Sequence, residues 1–354
     1  MARQAIRLLL ALTVLTCGIG VCRSQSEQAS GATAAATHEH LAASTSAASP
    51  LKVVEDIELP GPTNRFDYQT YDAALHRLFI AHLGAGTVVA FDTELNKVVG
   101  VIPNTAKVHG VLAVSPAGRL YVSATGTNEI VVIDSRTLKE IARIPGGTYP
   151  DGMAYVPELH KLYVSDETGK TETVIDTNAN ARTKTIPLQG EVGNTQYDPT
   201  SKHVFVNVQS LEELVEIDPQ TDTIVARHHL AEAKGNHGLL IDAGQRLAYI
   251  ACEGNARLLV FDLDSKQVVA SYPVGDTPDV LALDERLGWL YVASESGIVT
   301  VFRQEGRTLR KLSESFLAKR AHTVAVDSQT HRVYFPLENV EGRAVLRIME
   351  ALEK

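Results

Sequence analysis

Three cysteines in 354 residues leave little for covalent cross-linking, and two of them, Cys17 and Cys22, fall in an N-terminal stretch with the marks of a removable leader. Cys252 then stands alone, and no internal disulfide framework can form. No cysteine pair with an adjacent histidine lies beyond that stretch, which excludes covalent haem attachment. Positive charge is also short: 33 Lys and Arg face 42 Asp and Glu, a formal charge of −9. That balance argues against a nucleic-acid binder driven by counterion release, while leaving room for a local basic patch. The apolar run from Leu8 to Val21 is too short to span a bilayer as a stable anchor. Helical periodicity is missing from the rest of the chain.

What the first 50 residues do contain fits export. Arg3 and Arg7 precede the apolar run, the order of a secretory signal peptide, with cleavage expected near Ser24. Residues 1–24 are therefore read as signal peptide, and residues 25–50, rich in Ala, Ser, Thr and Gly, as a flexible tether. Cys17 and Cys22 raise a lipid anchor, but neither VLT nor IGV before them is a convincing small-residue lipobox. The expected location is periplasmic or secreted, with no transmembrane segment once the leader is removed.

From residue 51 to 354 the chain repeats a block of about 42 residues seven times. An aromatic residue on an Arg/Leu-rich strand start recurs as Phe79, Tyr121, Tyr163, Phe205, Tyr249, Tyr291 and Tyr334. About 13 residues later a β-branched run ends in Asp92, Asp134, Asp176, Asp218 and Asp262, with Arg303 breaking the series in the sixth block. Short alternating runs separated by turn residues make four antiparallel strands per block, which matches the blade of a seven-bladed β-propeller, an all-β fold. The last block lacks an outer strand. The segment Lys52–Gly61, KVVEDIELPG, copies the outer strands KVVGVIPN and KEIARIPGG, so the N-terminal strand is expected to close the last blade.

Propellers carry function on loops around the central channel, and the repeat can be read one column at a time. The innermost strand starts 12 residues before each aromatic, giving Asp67, His109, Asp151, Gly193, His237, Asp279 and His322. Folding each inner hairpin about its turn sets Asp67 opposite His82, Asp151 opposite Asp166 and His237 opposite Cys252. One position further, Thr125, Glu167, Gln209, Glu253, Glu295 and Glu338 should open on the same face. Imidazole and carboxylate groups are the donor set of a divalent metal. His109, His237 and His322, on blades two, five and seven, can converge as metal ligands, or each can bond a neighbouring loop carbonyl. Arg65, Lys107 and Arg320 fall on neighbouring blades one, two and seven and should give the mouth a basic side suited to an anionic ligand, with Glu191 and Asp276 opposite. The third-strand aspartates read as turn caps, and His76, His160 and His331 as solvated turn residues.

LYVSATGTNEIVVIDSRTLKEIARIPGGTYPDGMAY, from Leu120 to Tyr155, resembles the YncE and YVTN family of extracytoplasmic seven-bladed propellers, and the likeness extends weakly over all blades. The family's Tyr-Val-Thr-Asn motif ends here in Ala124, Asp166, Val208 or Ser294, so the resemblance implies architecture more than a site. It implies no single activity. Members and relatives are surface, periplasmic or nucleic-acid-binding proteins, and distant seven-bladed propellers include lactonases, a lyase that opens a cyclic antibiotic, and haem or copper reductase domains. Three mouth histidines are too few for a copper-cluster reductase.

Two functions follow as expectations. One is a binding protein that holds a small ligand, a metal or a protein partner at the mouth, through Asp67, His109, Asp151, His237, Asp279, His322, Arg65, Lys107, Arg320 and Glu253. The other is a metal-dependent, lactonase-like hydrolase or lyase at the same mouth, with His237 and Glu253, or His322 and Glu338, as acid–base pairs.

Overall fold

In the computed structural model, which describes residues 49–352, strands alternate with tight turns along the whole length. The proposed leader, residues 1–24, and all but the last two residues of the proposed tether lie outside the described residues. Among the described residues, 28 strands form seven four-stranded antiparallel sheets. Six sheets take consecutive strands, and the seventh takes Leu51–Glu58 as its outermost strand beside Arg343–Ala351, Arg332–Val340 and Ala325–Asp327. The innermost strands of blades one and seven meet, so the ring is closed. The pairing runs from Leu51 opposite Ala351 to Glu58 opposite Val345, as the copied outer-strand sequence leads one to expect.

The core lies between blades and not within them. A blade is one sheet with two faces, and each face must be covered. The buried apolar residues fall into seven clusters, each drawn from two adjacent blades, such as Phe79 and Ala81 with Leu120 and Val122. The repeating aromatic is the wedge of each cluster: all seven are essentially inaccessible to solvent. The turn aspartates behave as their spacing predicts. Asp134 Oδ1 accepts from the backbone N–H groups of Arg136 and Thr137 and from the Thr137 hydroxyl, and Asp218 caps the equivalent turn. His76 and His160 are exposed, but His331 differs: its Nδ1 lies 2.7 Å from Asp284 Oδ2 on blade six, which makes it an inter-blade link.

The inner hairpins depart from the expected register by one residue, and the cause is a β-bulge. In blade two the turn sets Val114 opposite Arg119 and Val111 opposite Val122, but Val108, not His109, stands opposite Ala124. The same irregularity falls between Pro150 and Met153, Asn236 and Leu239, and Pro278 and Leu281. One extra residue in the inner strand bends it and turns its neighbours over. His109, Asp151, His237 and Asp279 occupy these bulges, and glycine follows three of them because no side chain fits there. A Cβ on Gly110 would lie 2.1 Å from the Asp151 carbonyl oxygen, and one on Gly238 would lie 2.0 Å from that of Asp279.

Candidate site at the central channel mouth

The bulges aim the mouth residues at the axis, where Arg65, Asp67, Tyr68, His109, Asp151 and His237 are among the walls of a cavity of about 230 Å³. The loops one position past the expected partners complete it, through Glu167, Glu253 and Glu295. The pairs Asp67–His82, Asp151–Asp166 and His237–Cys252 do not form, since the slipped register points His82, Asp166 and Cys252 between blades. His82 stacks on Phe66 with ring centres 4.1 Å apart and bonds Asn64 Oδ1 at 2.7 Å. Asp166 accepts from Gly147 N–H, Thr171 and Thr173. Cys252 packs in the apolar cluster between blades four and five, where burial pushes its thiol up to about 12, and it offers no thiolate.

Tyr68 reaches from blade one across the channel. Its hydroxyl donates to Asn194 Oδ1 at 2.8 Å and sits 3.1 Å from His237 Nε2. It borders both the mouth cavity and a second one of about 240 Å³ among the inner strands, so the ring forms the floor of the mouth. The sequence does carry a signal for it: the position after each mouth residue reads Tyr68, Gly110, Gly152, Asn194, Gly238, Val280 and Thr323, a single bulky residue in a column of smaller ones.

The three histidines have different protonation states. At His109, Nδ1 lies 2.9 Å from both the Lys107 carbonyl and Thr125 Oγ1, and Thr125 already donates its own proton to the Pro150 carbonyl. Nδ1 therefore carries hydrogen, and Nε2 accepts from the Tyr149 hydroxyl at 3.1 Å. The ring is neutral, in keeping with burial lowering its pKa. At His237 both nitrogens face acceptors: Tyr68 Oη at Nε2, and Gln209 Oε1 3.1 Å from Nδ1, with the Gln209 amide passing on to Glu167 Oε1 at 3.2 Å. A proton on each nitrogen satisfies both contacts. Burial opposes the charge this gives the ring, but Glu253, Asp279, Asp151 and Glu167 outweigh it and raise the pKa to about 9. His322, 1% exposed, has no hydrogen-bond partner at either ring nitrogen, and Nδ1 lies 3.4 Å from Glu295 Oε2. It meets Glu295 of blade six, whereas Glu338 of its own blade faces Arg320 at 3.7 Å.

The carboxylates divide in the same way. Burial, followed by the neighbouring Asp67, Glu167 and Asp279, pushes Asp151 well above the usual range, and burial lifts Asp279 to about 7 against the pull of His237 and His322. Glu253 is raised by burial. Glu295 goes the other way: burial would raise it, but His322 and Arg65 bring it down to about 2. Arg65 Nη1 holds Glu295 Oε1 at 2.6 Å, and its Nε is 3.5 Å from Asp67. The basic side expected for an anionic ligand is thereby cancelled. Arg65 is neutralised, Lys107 and Arg320 are exposed, and the cavity wall itself carries Asp67, Asp151, Glu167, Glu253, Asp279 and Glu295.

Two donor triads have ligand atoms within 4.8 Å of one another, His237–Glu253–Asp279 and Asp279–Glu295–His322. They share Asp279, and His109 belongs to neither. Buried atoms without a hydrogen-bond partner around the mouth include Asp67 Oδ2, Asp151 Oδ1, Asp279 Oδ1 and both nitrogens of His322.

No protein-family model and no curated protein matches the sequence. Solved structures do match. A chain of Kuenenia stuttgartiensis hydrazine synthase aligns at 17% identity and TM-score 0.70, over 83% of this chain and 97% of that one. U3-55K aligns at 13% identity and TM-score 0.71, over 86% and 99%, and the RRP9 WD40 repeats at 12% and 0.70, over 86% and 98%. At these identities the likeness is one of fold, and the chain is a seven-bladed β-propeller.

Proposed function

We propose that the protein is an exported binding propeller that holds a small polar ligand in the mouth cavity. The observation behind this reading is the set of carboxylate oxygens in the cavity wall that have no hydrogen-bond partner. Buried polar groups are nearly always hydrogen-bonded, and leaving one unsatisfied costs about 1–3 kcal/mol. Three aspartates lining one cavity, Asp67, Asp151 and Asp279, carry that cost together, and a bound ligand would remove it. The acidic wall favours a cationic or donor-rich ligand. Binding is favoured over hydrolysis because both nitrogens of His237, the nearest candidate base, are taken up by Tyr68 and Gln209, and His322 has Glu295 beside it in place of Glu338. The leader sequence supports a periplasmic or secreted location.

The test is a thermal-shift panel of amines, amino acids, sugars and divalent cations against the wild type and Asp151→Asn. A ligand at 100 times its Kd should raise Tm by roughly 5 °C. A saturable shift weakened in Asp151→Asn supports the reading, and an equal shift in both proteins overturns it. N-terminal sequencing of the protein from an export-competent host should find the chain starting near Gln25; an intact Met1–Arg3 on cytosolic protein would refute export.

A further inference from the structure

We infer that Asp279, Glu295 and His322 form a mononuclear site for a divalent cation of the zinc or manganese class. The inference rests on the binding reading above and names its ligand. Each mouth histidine was a candidate ligand, and hydrogen bonding separates them. A metal needs a free lone pair on an imidazole nitrogen. His109 spends one nitrogen on a proton toward Thr125 and Lys107 and the other accepting from Tyr149. His237 has a hydrogen-bond partner at both nitrogens. His322 alone of the three forms no hydrogen bond at either nitrogen, in a ring that is 99% buried with Glu295 Oε2 3.4 Å from Nδ1.

The carboxylates around it are similarly prepared. Asp279 Oδ1 is buried without a hydrogen bond, 3.9 Å from His237 Nε2, and the Asp279 donor atom lies within 4.8 Å of those of Glu295 and His322. Glu295 is gripped from behind, since Arg65 Nη1 binds Oε1 at 2.6 Å and leaves Oε2 beside His322 Nδ1 at 3.4 Å. That is the part an outer partner plays in metal sites, fixing the orientation of a ligating carboxylate. One imidazole nitrogen and two carboxylate oxygens suit zinc or manganese. Asp279 and Glu295 also line the cavity, so the remaining coordination positions open toward it.

The test uses the full chain without an affinity tag, with His38 and His40 replaced by alanine in every sample, titrated calorimetrically with Zn²⁺ and then Mn²⁺ after chelator dialysis. One equivalent should bind. His322→Ala, Glu295→Gln and Asp279→Asn should each weaken binding by more than about tenfold, while His109→Ala, which a three-histidine site would require, stays close to wild type. Melting curves in chelator identify any variant that has lost its fold, and Glu295→Gln, at the partly exposed ligand, serves if His322→Ala does not fold. Absence of a stoichiometric site for both ions, or binding abolished by His109→Ala and kept by Glu295→Gln, overturns the proposal. Repeating the ligand panel in chelator separates the two readings: a ligand bound without metal preserves the cavity reading even where the metal titration overturns this one.

Discussion

Glu172 sits where the other six blades place Val88, Ile130, Leu214, Leu258, Val299 and Leu346. It is fully buried, and neither carboxyl oxygen has a hydrogen-bond partner. Burial, reinforced by nearby Asp166, pushes its pKa well above 4.5, so the folded protein keeps it protonated. A raised carboxyl pKa gives stability that is complete below the unfolded value and is lost as pH rises toward the folded one, at up to about 1.4 kcal/mol per pH unit. Glu172→Leu should therefore melt at higher temperature than wild type at pH 8 and show a flatter decline between pH 5 and pH 8. Parallel melting profiles for the two proteins would refute this. Single residues were unevenly legible in the sequence. The His and Asp column and the Glu167, Glu253 and Glu295 loop stand out because repetition gives each position six controls. Protonation and partnering do not, because they depend on which blade each side chain crosses to, as Tyr68 does in meeting His237.

At the level of strands, blades are tied by polar hubs as well as by their aromatic wedges. Glu216, on the third strand of blade four, receives His203 Nδ1 at 2.7 Å, His228 Nε2 at 2.9 Å and Lys266 Nζ of blade five at 2.9 Å. Lys266 also lies over the Phe205 ring, 4.8 Å from its centre. Burial would raise the Glu216 pKa, but these donors bring it from 4.5 down to about 2. A depressed carboxyl stabilises above its unfolded pKa, and that stability disappears as pH falls from about 4.5 to about 2. Glu216→Ala should cost about 2–3 kcal/mol in urea denaturation at pH 7 and much less at pH 3. An equal loss at both values would show that packing, and not charge, is responsible. Strand order and the outer-strand copy at Lys52–Gly61 were readable because alternation and turn residues are local signals. The inner register was not, since a bulge adds one residue without changing the turn that a sequence argument counts from, and so His82, Asp166 and Cys252 were placed on the wrong face.

Over the whole ring, stability depends on the pairing of Leu51–Glu58 with Arg343–Ala351, reinforced by Arg347 reaching both oxygens of Asp56 at 2.8 and 2.7 Å. Removing residues 1–50 should leave the calorimetric melting temperature unchanged. Removing residues 1–59 should lower it sharply and produce larger species on size exclusion, because the edge of Arg343–Ala351 is then uncovered. Equal melting of the two truncations would show that the seventh blade needs no outer strand. The same pairing orders events in time. Leu51–Glu58 is made before blades one to six and its partner Arg343–Ala351 after them, so those six blades must wait, with an unmatched strand at one end, until Arg343–Ala351 arrives. A chain interrupted before that point stays an open arc, and closure of the ring thereby reports that all seven blades have been made.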